Sequence, residues 1–64
     1  MDFCYVLLFY GSDWEDTIIL LSEEDAINES IKYPNARVEI FMKNDKRYIP
    51  TYSYFKNGKL IKNS

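Results

Sequence analysis

The chain has no histidine and one cysteine, Cys4. One thiol forms no internal disulfide, and the usual four-ligand zinc site of Cys and His cannot be assembled from a single chain. A cysteine nucleophile lacks an imidazole base here, so Cys4 is expected to behave as a small hydrophobe inside its strand. Two glycines and two prolines in 64 residues leave no flexible linker and no low-complexity segment. The first apolar run, Phe3 to Tyr10, is eight residues, too short to span a bilayer. Asp2 precedes it and no basic residue does, so it makes a poor export signal. An intracellular, reducing compartment is therefore expected, and there the Asn28-Glu29-Ser30 sequon carries no meaning.

What is present reads as a single domain over residues 1–64. A hydrophobic share of 47% against 28% charged residues places the chain with globular, not disordered, proteins. A domain of this size buries only about 60% of the surface its unfolded chain exposes, so its stability is marginal unless it associates. The net charge of −2 is unevenly divided. Residues 1–32 carry eight acids and one base, and residues 33–64 carry seven bases and two acids. The simplest reading is that the two halves of one fold attract each other. The other is a basic face on the C-terminal part, able to meet phosphate.

Phe3 to Tyr10 reads as a strand buried on both faces and hence central. Gly11-Ser12-Asp13 supplies turn chemistry, and Thr17 to Leu21 forms the second arm of an antiparallel hairpin. Ser22 opens a helix as N-cap, with Asp25 three residues on as in a capping box. Glu23, Glu24 and Asp25 complement the dipole of its first turn. Ala26, Ile27, Ser30 and Ile31 make one stripe, and Pro34 ends the helix. In Ala36 to Lys43, Ala36, Val38, Ile40 and Met42 alternate with Arg37, Glu39, Phe41 and Lys43, as in a half-buried strand. After an Asn44-Asp45-Lys46 turn comes Tyr48 to Phe55. Tyr48, Pro50, Tyr52 and Tyr54 share one of its faces, and Pro50 demands an edge or a bulge. Asn57-Gly58 predicts a type I′ turn into a short last strand at Leu60-Ile61. The expected fold is α+β in the order β-β-α-β-β-β: an antiparallel sheet of four or five strands with one helix on one face. Ala26, Ile27 and Ile31 should meet Val38, Ile40 and Met42. By analogy alone, the order also suits a ubiquitin-like grasp.

Several of these strings, taken in order, carry a resemblance: Trp14-Glu15-Asp16, Ile31-Lys32-Tyr33-Pro34, Arg37-Val38-Glu39-Ile40-Phe41, Ile49-Pro50-Thr51-Tyr52 with Tyr54, and Lys56-Asn57-Gly58. The series resembles small uncharacterised proteins encoded by giant amoeba-infecting DNA viruses of the mimivirus type, over roughly Tyr5 to Ile61. The resemblance implies the cytoplasm of an infected cell. It brings no established activity to these positions.

No catalytic or metal signature occurs, and no cofactor is expected. Asp13, Glu15 and Asp16 could bind Mg²⁺ or Ca²⁺ through oxygen, but they lack the spacing of a calcium loop and read as a solvated turn. Trp14 either caps one end of the core, which burial tendencies favour, or stands out as a binding anchor. A single helix covers one sheet face only. The other then exposes Cys4, Val6, Leu8 and Tyr10, or else Phe3, Tyr5, Leu7 and Phe9, according to register. An apolar face of that kind marks an interface, and pairing two copies relieves the weakness of a small core. The expected function is a non-enzymatic protein–protein interaction or assembly module. It is expected to form a homodimer, with Trp14, Val6, Leu8 and Tyr10 as interface residues. The alternative is single-stranded nucleic acid binding, with Tyr48, Tyr52 and Tyr54 stacking bases and Arg47, Lys56 and Lys59 holding phosphates.

Overall fold

The computed structural model describes residues 2–63. Its elements are β1 (Phe3–Phe9), a 3₁₀ turn (Trp14–Asp16), β2 (Ile18–Leu20), α1 (Glu23–Lys32), β3 (Ala36–Asn44), β4 (Arg47–Lys56) and β5 (Lys59–Ile61). The strands form one sheet in the order β2-β1-β3-β4-β5, with every neighbouring pair antiparallel. The expected α+β fold is the observed one.

Both β2 and β3 run antiparallel to β1 and flank it, so they run parallel to each other. α1 joins them and must cross over β1, as in a split β-α-β unit. A ubiquitin-like grasp needs a strand parallel to β1 beside it, which this pairing excludes. Ser22 caps the helix as its sequence requires: the Asp25 backbone N–H donates to Ser22 Oγ at 3.1 Å. The cap residue Tyr33 closes the other end by donating its N–H to the Glu29 carbonyl, and Pro34 follows.

The crossover decides where the core sits. Leu7, Val38, Ala26 and Ala36 are fully buried, with Tyr5 and Phe55 nearly so. Ile27 and Ile40 pack against them. The helix stripe reaches less of the sheet than the sequence suggests. Ile31 and Met42 are both exposed: Ile31 lies beside Gly58 at the β4–β5 turn, and a ten-residue helix, only about 15 Å long, leaves Met42 uncovered. Met42 lies opposite Phe3 and Ile49, near the end of β3.

Pro50 does produce a bulge. Phe41 pairs with Pro50 and Glu39 with Tyr54, so residues 51–53 face Ile40 alone. Thr51 replaces the broken ladder there. Its Oγ1 donates to the Ile40 carbonyl at 2.8 Å and accepts from the Ser53 N–H at 3.2 Å. Tyr52 takes φ 68° inside this bulge, so it leaves the simple alternation that joins Tyr48, Pro50 and Tyr54.

Candidate functional site

Residues paired across a ladder point to the same side of a sheet, so the register maps both faces. Tyr5 and Leu7 lie under α1, which assigns Cys4, Val6 and Leu8 to the back. One row there crosses all five strands: Ile19, Val6, Glu39, Tyr54 and Ile61. Cys4, Phe41 and Pro50 form the next row on one side. Leu8 and Arg37 begin the next row on the other. Among the described residues no helix or second sheet covers this face; α1, the only helix longer than one turn, packs on the other.

The middle of the face is apolar except for one satisfied charge cluster, while Lys43 and Lys59 stand exposed near its ends. Arg37 Nε donates to Glu39 Oε2 at 2.6 Å. That hydrogen bond, ahead of any other influence, holds the guanidinium more firmly protonated than usual. The Arg37 guanidinium lies 5.5 Å from the centre of the Tyr10 ring and Lys56 Nζ lies 4.8 Å from it, both within cation–π range. Lys56 Nζ also donates to the carbonyls of Pro34 and Ala36. The cluster ties β3, β4 and the end of β1 together. By alternation alone Arg37 and Glu39 belong to the outward side of a half-buried strand. Their spacing of two along a strand was the available signal for a pair on one face.

The interface candidates have separate fates. Val6 and Leu8 are half-buried on the back face, and Tyr10 is exposed at its corner. Trp14 does not cap the core. It sits in the 3₁₀ turn and is 83% exposed, because the turn lifts it off the end of the hairpin. The edge strand β2 was not singled out by sequence reading, yet Ile18, Ile19 and the following Leu21 are all exposed. Its two-sided apolar character was legible; its place at the edge was not.

The nucleic acid candidates are not gathered into one patch. Tyr48 and Tyr54 lie on the back face opposite Lys43 and Glu39, while Arg47 pairs with Asn44 on the helix side. Lys59 lies opposite Lys56 at the far turn, about 25 Å along β4 from Tyr48. The Lys56 ammonium is held within the fold by the carbonyls named above.

On the helix side, beyond the first turn of α1, two adjoining cavities of about 180 and 310 Å³ share Phe3, Ile40 and Leu60. Two of their polar side chains are occupied. Thr51 is used in the bulge, and Ser53 Oγ accepts from the Asn63 N–H at 3.1 Å. Asp13, Glu15 and Asp16 are exposed. Among the described residues no group of three or more Cys, Asp or Glu side chains is placed to hold a metal ion. Burial pushes the Cys4 thiol up, away from the thiolate a nucleophile needs. Among the described residues, no helix is long and apolar enough to cross a membrane. Comparison of the chain with protein-family models, with curated proteins and with solved structures returns no match.

Proposed function

We propose that this protein is a non-enzymatic assembly module that associates with a second copy of itself through the back face of its sheet. The observation that carries this reading is the row from Ile19 through Val6 and Tyr54 to Ile61, with Cys4 and Phe41 beside it, on a face that α1 leaves open. Five strands about 4.8 Å apart and some six residues deep present on the order of 500 Å² per copy. Two such faces bury about 1,000 Å² in total, the lower bound for a specific interface. The Arg37–Glu39 pair in the middle of this face is already satisfied, so association leaves it matched, and the exposed Lys43 and Lys59 lie toward the rim. On the viral resemblance alone, we place the module in the cytoplasm of an infected cell.

The test is solution mass by light scattering at high salt, where apolar contacts persist. The expected result is a mass of twice the 7.7 kDa chain. Val6→Lys and Leu8→Glu should lower it to a folded monomer. Each new charge lands beside an opposite one, Glu39 or Arg37, so the fold tolerates it. A wild-type monomer at all concentrations contradicts the reading and turns attention to Tyr48 and Tyr54 as base-stacking residues.

A further inference from the structure

The two edges of the sheet differ in a way that specifies a contact. β2 is the outer strand on one side, and Ile18, Ile19 and the adjacent Leu21 are exposed. Of the usual devices that stop an edge from pairing, it has only its short length of three residues; it carries neither lysine nor proline, nor a bulge in its register. Its flanks are acidic: Asp13, Glu15 and Asp16 precede it and Glu23, Glu24 and Asp25 follow, with no base between residues 13 and 25. β5 is the outer strand on the other side. It reads Lys59-Leu60-Ile61 with Lys62 next, and all four residues are exposed.

Like edges repel. In a two-fold β2–β2 pairing the acid-flanked ends of one copy meet the acid-flanked ends of the second; in a β5–β5 pairing, lysines meet lysines. Like charges directly opposite are destabilising. Unlike edges match in both apolar character and charge. Lysines that protect β5 from other edges thus select an acid-flanked one. We propose that the β2 edge of one copy pairs with the β5 edge of another, continuing the sheet from copy to copy. This contact is head-to-tail, so it grows into chains or closes as a ring. It goes beyond the face contact: it uses the outer backbone groups of the edge strands, and neither Val6 nor Leu8 takes part.

The experiment removes the face contact first, by working in a Leu8→Glu background at low salt. Ile18→Lys blocks the β2 edge. Leu21→Lys, just outside the strand, is a second β2 block that does not depend on strand stability. Lys59→Glu with Lys62→Glu blocks β5. By sedimentation velocity each blocked chain alone should be a monomer. An equimolar mixture of a β2-blocked and a β5-blocked chain should form a species of twice 7.7 kDa, because each supplies the edge the other lacks. Raising the salt should dissolve it. A mixture that sediments as the sum of its parts overturns the proposal. So does a β5-blocked chain that dimerises alone, which would mean β2–β2 pairing, and so does a mixed complex indifferent to salt. None of these results bears on the face contact, which is measured at high salt with Leu8 intact.

Discussion

Ser30 carries more of this small fold than its position on the helix stripe suggests. It is fully buried. Its Oγ donates to the Ile27 carbonyl at 2.7 Å and accepts from the Gly58 N–H at 2.8 Å, fastening α1 to the turn between β4 and β5. Ser30→Ala leaves the Gly58 N–H without this partner and should cost about 1–3 kcal/mol, read as a lower urea midpoint with unchanged slope. The sequence showed a serine among apolar neighbours but not its acceptor role, because Gly58 lies 28 residues away. Tyr5 offers a second test at this scale. Burial, then the nearby Glu23 and Cys4, raises its phenol above the ordinary value, which is about 10. Between that value and the raised one, the unfolded chain ionises while the folded chain stays neutral. The unfolded state then binds fewer protons, and stability falls as pH rises; below about pH 10 this group contributes no pH dependence. Tyr5→Phe should flatten the alkaline part of a urea-midpoint profile relative to wild type.

At the scale of elements, local chemistry was decisive where it was self-contained. Ser22 with Asp25 fixes the start of α1, and Ser22→Ala should destabilise the domain by about 1 kcal/mol. Thermal unfolding checks this, and an unchanged midpoint would deny the cap its role. Asn57 and Gly58 both adopt positive φ, 52° and 80°, the condition a type I′ turn imposes. The alternation in β3 likewise predicted its fully buried Ala36 and Val38. The bulge in β4 was only half legible. Pro50 announced an interruption, but the two extra residues opposite Ile40 preserve the parity of side chains. Tyr48, Pro50 and Tyr54 therefore alternate in sequence as though the ladder were unbroken. The choice for Trp14 between capping the core and standing out was not legible, because the 3₁₀ turn that exposes it rests on two backbone hydrogen bonds, Asp16 N–H to Asp13 and Thr17 N–H to Trp14. Neither has a side-chain signature.

The molecule as a whole is one helix on one face of a five-stranded sheet. The register choice in β1 was left open by a run apolar on both faces, and long-range pairing settled it: Tyr5 and Leu7 turn toward α1, and Val6 and Leu8 away. Strand order was equally hidden, since it depends on β3 returning beside β1 rather than beside β2. That order puts Ile18 and Ile19 at an edge and leaves a row of apolar side chains without a covering layer. A domain this small is marginal by itself. In the proposed dimer, burying the open face against a second copy would supply the missing layer. The most direct measurement is absolute solution mass across a concentration series at high salt, for wild type, Val6→Lys and Leu8→Glu. The expected result is a wild-type mass of twice 7.7 kDa and folded monomers for both variants. A wild-type chain of 7.7 kDa at every concentration, or variants that keep the wild-type mass, would contradict it.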